Sequence, residues 1–189
     1  MILKIYLLSM GFPLHLIYRE NMTFFPKQRV LVDTNVIIEA HRTGCWNTIA
    51  NYFALETVQK VIEETQTGAQ NRPSGTHIDE AKLRASMKHV ATVTDEMRAK
   101  FHQAFPQVLL DDGERDLLVY AGTIPVAEIW LLNSPDMAAV RHAHSRAWLD
   151  RLVSLEILNA HLKGKLAATL KDNYSEEWLS IRRTRLILG

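Results

Sequence analysis

Acidic residues fall at four matching places along this chain. Asp33 ends the apolar run Val30-Leu31-Val32, and Glu64 lies within TVQKVIEETQ. Glu114 and Asp116 sit in the first turns of DDGERDLLVYA, and Asp136 follows EIWLLN. Carboxylates crowded together repel, each raising the proton affinity of the others, unless a cation neutralises them. Oxygen-only clusters suit Mg²⁺ or Mn²⁺, hard ions that keep several waters and bind substrate phosphates. Acids at a helix start also have a plainer use. They favour the positive dipole end and cap exposed amides, which alone would place Glu114 and Asp136. Asp33 is harder to explain that way, because it interrupts an otherwise buried run.

The elements that must hold these acids alternate as in an α/β fold with a mostly parallel central sheet flanked by helices. RVLVD (29–33) is β-branched and apolar on both faces, which predicts a buried parallel strand. A helix is expected in the residues after Asn35, to about Gly44. NYFALE (51–56) reads as a second short strand, with Thr57 capping TVQKVIEETQ. TGAQNRPSGT (67–76) is the obvious loop. Two helices are expected next, IDEAKLRASMKHV and then TDEMRAKFHQAF, the latter capped by Thr94 and followed by Pro106. DDGERDLLVYAG opens a helix after Asp111 or Asp112. VAEIWLLN (126–133) reads as a buried strand, and SPDMAAVRHAHSR as a helix with Pro135 in its first turn. RLVSLE (151–156) reads as a strand, EILNAHLKGK as a helix, and SEEWLSIRRTRLIL as a Ser-capped helix with charges matched to its dipole. In an open parallel sheet, ligands bind outside the carboxyl ends of the strands. Asp33 and Asp136 are therefore expected on one rim, with Glu114 brought to it by its helix.

At 189 residues and 47% hydrophobic, the chain can bury one sizeable core. A formal net charge of +1 gives no global attraction to nucleic acid or membrane, so any basic surface is local. The single cysteine, Cys45, excludes an internal disulfide, weighs against a cysteine-based zinc site and fits a reducing, cytoplasmic setting. Residues 1–18, MILKIYLLSMGFPLHLIY, form a broken apolar run without a small-x-small cleavage site, interrupted by Pro13 and His15. The run is too short for a comfortable membrane span. Residues 1–27 are read as an N-terminal extension, with Met22 an alternative start, and 28–189 as the domain.

VDTNVIIEA resembles the first motif of the PIN-domain family, a hydrophobic strand followed by Asp-x-Asn. The likeness continues in order through T-x-x-x-V-I-E-E, G-E-R-D-x-x-x-x-x-A, and a hydrophobic strand leading into S-P-D-x-A-A, covering about residues 28–156. The resemblance implies a PIN-like three-layer sandwich and a metal-dependent nuclease, most often a ribonuclease, using Mg²⁺ or Mn²⁺ in an acidic pocket at the sheet edge. Carried over by position, Asp33 would be the central metal ligand, with Glu64, Glu114 and Asp136 completing the catalytic acids. Glu64 fits better than Glu63, falling seven residues after Thr57. Asn35 would hydrogen-bond inside the pocket, Ser134 would help near the metal, and Asp116 is either an extra ligand or points sideways. The family also implies toxin members held by a small antitoxin, and homodimers. Three features depart from its pattern: Glu114 stands where Asp is common, Ser134-Pro135-Asp136 replaces Thr-x-Asp, and residues 65–105 are longer than in compact toxins.

Substrate contacts are expected from Arg115, Arg141, Arg182 and Arg183, with Arg185 nearby, though arginines on helix surfaces are more often simply solvated. The pair His142 and His144 is spaced so that the rings point apart on a helix. Trp130 and Trp148 are expected in the core, and Trp46 and Trp178 either stack bases or are buried. Two other classes fit less well. A catalytically silent PIN-like module binding RNA or protein would ordinarily have lost an acid. An Asp33-nucleophile phosphotransferase would favour a second Asp where Asn35 stands.

Overall fold

The structure, a computed structural model, describes residues 23–67 and 77–189. The expected N-terminal extension (residues 1–22 of it, with Met22) and nearly all of the expected loop at 67–76 lie outside them.

Four strands form the sheet: β1 (Arg29–Val32), β2 (Ala54–Val58), β3 (His89–Ala91) and β4 (Trp130–Asn133). Their order is β3-β2-β1-β4 and every pairing is parallel. Val30, Leu31 and Val32 at the centre are buried on both faces, which is why this strand reads as a continuous apolar run. Helices α1 (Thr34–Arg42), α2 (Trp46–Tyr52), α3 (Gln59–Gln66), α4 (Glu80–Ser86), α5 (Asp95–Ala104), α6 (Asp112–Ala121), α7 (Met137–Ser145), α8 (Leu155–His161) and α9 (Glu176–Leu188) surround it. The result is an α/β three-layer sandwich. Among the described residues no helix is long and apolar enough to cross a membrane.

Several local expectations change. Asn51 and Tyr52 end α2 and do not start a strand. Thr57 lies within β2, where its hydroxyl donates to the Val32 carbonyl at 2.7 Å, so it ties β2 to β1 and caps nothing. The helix expected through Val90 stops at Ser86, because Lys88 donates to the Leu55 carbonyl at 2.7 Å and the chain joins the sheet as β3. Residues 126–129 stay outside the sheet, with Val126 91% exposed. Pro135 precedes the cap Asp136 and lies outside the first turn of α7. The expected strand at 151–156 is one bridge, Leu132 to Leu152, after which Ser154 accepts from the Ile157 amide and starts α8. Thr94 and Ser175 cap α5 and α9 as expected.

The core runs from Phe24, edge-on to Phe53 at 5.7 Å, through the sheet to Leu179 on α9. Cys45 is a buried free thiol whose pKa is pushed up by burial, a packing residue. Trp130 and Trp148 meet edge to face at 5.2 Å, and buried Trp46 donates to the Ser86 hydroxyl at 3.1 Å.

Candidate active site

β1 and β4 are neighbours in register, Val32 opposite Asn133, so the residues that follow both strands emerge at one edge. Asp33 is the cap of α1, with its Oδ1 accepting from the Val36 amide at 2.9 Å. Its Oδ2 accepts from the Ser134 hydroxyl at 2.6 Å, a bond that joins the ends of the two strands. Asp33 is only 4% exposed, and burial pushes its pKa up to about 6 against the opposing pull of these hydrogen bonds. Asp136 caps α7 by accepting from the Ala138 amide at 2.7 Å, while its own N–H donates to Ser134 Oγ at 3.3 Å. Asp111 caps α6 by accepting from the Glu114 amide at 2.7 Å. The helix-cap explanation and the shared-rim expectation are therefore both met. Each aspartate caps a helix, and the start of each helix is turned toward the same carboxylates.

Glu114 shows the consequence. Its Oε1 accepts from the Ala139 amide at 3.0 Å, bridging the first turns of α6 and α7. Its pKa is pushed up to about 8 by burial first, then by the charges of Asp136, Asp33 and Asp111. The strongest influences on it include no lysine or arginine. Among the described residues, Asp33, Asp111, Glu114 and Asp136 share one edge of the sheet and none of them forms an ion pair with a lysine or arginine.

Glu64 is held beside them. Its Oε1 accepts from the Gly113 amide at 2.8 Å and its Oε2 from the Thr34 hydroxyl at 2.7 Å. This clasp joins the first residue of α1 to the first turn of α6. A β-carbon at Gly113 would lie 2.2 Å from Glu64 Oε2, so the carboxylate seats only because position 113 is glycine.

Other expected residues take different roles. Asp116 points sideways, into a bidentate pair with Arg98 at 2.6 and 2.9 Å, with Arg115 adding a contact at 3.3 Å; its charge is already met. Asn35 is exposed and its side chain makes no hydrogen bond among the described residues. It supports the site through its backbone, the amide toward Asp33 and the carbonyl accepting from Tyr174 Oη at 3.2 Å. Arg115 is engaged with Asp112 at 2.9 Å as well as Asp116. Arg183 is buried, pairing with Glu176 at 3.4 Å and donating to the Leu152 carbonyl, so it fastens α9 to the core and is not available to a phosphate. Arg182 lies over the Trp178 ring at 4.8 Å, and Arg141 is exposed on α7. Of the residues at the edge, Thr34 and Gly113 were not singled out from sequence, and Asp111 only as a helix start. Each stands inside a quoted motif, V-D-T-N or D-D-G-E-R, where it passes for spacing or capping.

The donor set suits a hard divalent ion: oxygen atoms only, with uncompensated negative charge and raised proton affinity. Among the described residues no three His, Cys, Asp or Glu side chains close on one point as a ready-made cage. Asp33, Glu114 and Asp136 do not converge on one point, so an ion at this edge would take most of its shell from water and substrate oxygens, as Mg²⁺ commonly does.

The fold and edge together define an α/β protein with a carboxylate-lined rim at the carboxyl ends of its central strands. No family model matches the chain, and no curated protein matches it.

Proposed function

We propose that this protein is a Mg²⁺- or Mn²⁺-dependent endoribonuclease of the PIN type, hydrolysing RNA phosphodiesters at the rim formed by Asp33, Glu114 and Asp136. The observation that carries the reading is the crowding of Glu114 by Asp33, Asp111 and Asp136, which with burial raises its proton affinity. Two of these carboxylates, Asp33 and Glu114, are buried, and strongly raised proton affinities gather at functional sites. When bound, the ion supplies Lewis-acid neutralisation of the phosphodiester and acidifies water.

The chain's own residues do the rest. Ser134 holds Asp33 in one rotamer through the 2.6 Å bond, and the Glu64 clasp fixes α6 against α1 so that Glu114 is presented at a set depth. The starts of α1, α6 and α7 direct amides toward the edge, an environment that favours an anion. Glu114 carries its raised proton affinity in the free protein, which makes it the group most changed when positive charge arrives. Arg141 is the exposed cation suited to steer a phosphate chain toward α7. The toxin role, an antitoxin partner and a homodimer belong to the same proposal, supported by the motif resemblance.

The test is cleavage of labelled single-stranded RNA with Mn²⁺, with Mg²⁺ and with chelator, beside Asp33→Asn. Metal-dependent cutting that falls at least 100-fold in the variant is expected, the scale at which removing preorganised charge stabilisation acts. Undiminished cutting by Asp33→Asn would sink the site assignment. A folded, metal-loaded protein that binds RNA but cuts none would instead favour the silent binding module.

A further inference from the structure

The chain between α8 and α9 returns along α1 as a strap, antiparallel to the helix and stitched to it at intervals. The Ala167 amide donates to the Thr43 carbonyl at 2.8 Å, the Arg42 guanidinium donates to the Thr169 carbonyl, and the Lys171 amide donates to Glu39 Oε1 at 2.9 Å. Glu39 is buried and also receives the Arg42 guanidinium at 2.6 Å, so the middle of the strap is tied to a fixed carboxylate. The strap ends in the single turn Asp172–Tyr174, which delivers Tyr174 to the start of α1.

Tyr174 is buried, and its Oη donates to the Asn35 carbonyl at 3.2 Å across 139 positions of sequence. That carbonyl belongs to the peptide group joining Asn35 to Val36. The N–H of the same group donates to Asp33 Oδ1 at 2.9 Å, and the other carboxylate oxygen of Asp33 accepts from the Ser134 hydroxyl at 2.6 Å. Tyr174, one peptide group, Asp33 and Ser134 thus form a single chain of hydrogen bonds from the strap to the end of β4.

The peptide group transmits in two ways. It is planar, so an anchor on its oxygen also sets the direction of its N–H. Donation to the oxygen polarises the group and strengthens the bond that its N–H makes. A carbonyl has two lone pairs, so the hydroxyl adds to the helical hydrogen bond and does not displace it. Burial, together with the charges of Asp33 and Glu39, pushes the Tyr174 phenol pKa up, so the hydroxyl stays a donor. Each oxygen of Asp33 therefore has its own holder, Ser134 directly on one and Tyr174 at one remove on the other.

We propose that Tyr174 is a positioning residue for Asp33, acting through the Asn35–Val36 peptide and held in place by the strap along α1. Asp33 is then oriented at both oxygens before any ligand arrives, the preorganisation that lowers the cost of binding. The effect on a bound ion rests on the reading of Asp33 as its ligand. The effect on the orientation of Asp33 rests on the hydrogen-bond chain alone.

Tyr174→Phe keeps the buried ring and removes the donor. Tyr52→Phe is its control, deleting a hydroxyl that donates to the Phe24 carbonyl at 3.4 Å, just before β2 begins and away from the rim. Amide hydrogen exchange of the full chain, followed by NMR without metal, reads the first effect. In Tyr174→Phe the Val36 amide should exchange about tenfold faster relative to the Ala40 amide one turn on, the scale of one lost hydrogen bond, and in Tyr52→Phe that ratio should hold. Mn²⁺ affinity by calorimetry should fall about fivefold in Tyr174→Phe and stay level in Tyr52→Phe. An unchanged Val36 amide, equal acceleration at Val36 and Ala40, the same effect in Tyr52→Phe, or unchanged Mn²⁺ affinity in Tyr174→Phe where the parent binds the ion would overturn the assignment. A parent protein that binds no Mn²⁺ would defeat the proposed function, while the exchange ratio would still decide for or against Tyr174.

Discussion

Glu114 and Asp116 lie on one helix, two residues apart and both buried, at 6% and 1% exposure. Asp116 receives a bidentate guanidinium from Arg98, whose own pKa is raised by the pairing. Glu114 receives one backbone amide and faces three more carboxylates. The same fold can therefore neutralise a buried acid from within the chain, and at the rim no cation among the described residues does so. Asp116 is a structural charge that fastens α5 to α6. Glu114 is an acid whose proton affinity is raised by burial and by its carboxylate neighbours.

The sharpest way to break this contrast is to take the cation from Asp116. Arg98→Ala leaves a buried carboxylate with only the longer contact from Arg115. Breaking a buried pair from one side costs about 3–5 kcal/mol, and partial exposure of Arg98 places the expected loss near ~3 kcal/mol. Denaturant unfolding measures it. A loss below ~1 kcal/mol would mean that Asp116 is no more dependent on a cation than Glu114, and the distinction between the two acids would fall.

The second prediction concerns Glu114 and pH. Its folded pKa of about 8 and that of Asp33, about 6, both lie above ordinary carboxylate values. The folded protein then holds more protons than the unfolded chain between about pH 4 and pH 8, so its stability is greatest at the acid end of this window and declines as pH rises through it. With each pKa unit worth about 1.4 kcal/mol, a loss of roughly 2 kcal/mol from about pH 6.5 to about pH 8 is expected in chelator. Thermal melts across this range, with and without Mg²⁺, read it directly. Glu114→Gln should flatten most of the slope, and saturating Mg²⁺ should flatten it in the parent protein. A melting temperature that rises with pH in chelator would reverse the sign and remove the claim that the rim is uncompensated.

How far the sequence reveals this arrangement depends on the range of each interaction. The strand-end acid is legible because Val30-Leu31-Val32 is a local apolar run that Asp33 stops, and alternating elements suffice to predict a parallel sheet. Short edge elements are not. β3 has three residues, and the helix-forming stretch before it hides the switch that the Lys88 to Leu55 hydrogen bond makes. Thr57 looks like a cap because Ser and Thr commonly are caps, and only the neighbouring strand shows its hydroxyl facing Val32. The Arg98–Asp116 pair spans 18 positions between different helices and leaves no local pattern. Arg183 looks like its exposed neighbours until α9 docks and turns that one arginine inward.

The smallest expected change in stability comes from Gly113→Ala, and it separates the position of the acids from their charge. The added β-carbon would meet the Glu64 carboxylate at 2.2 Å and must push it off the Gly113 amide and the Thr34 hydroxyl. Losing those bonds costs about 1–3 kcal/mol, while alanine in a helix recovers up to about 1 kcal/mol relative to glycine. The net stability loss should therefore stay near ~1 kcal/mol, and every rim carboxylate remains present. If the clasp sets how α6 presents Glu114 beside Asp33, Mn²⁺ affinity measured by calorimetry should still fall about tenfold. Thr34→Val, which removes one donor without adding bulk at Gly113, should produce a smaller loss in the same direction. Unchanged Mn²⁺ affinity in both variants would show that charge alone makes the rim, and that Glu64 serves only to join two helices.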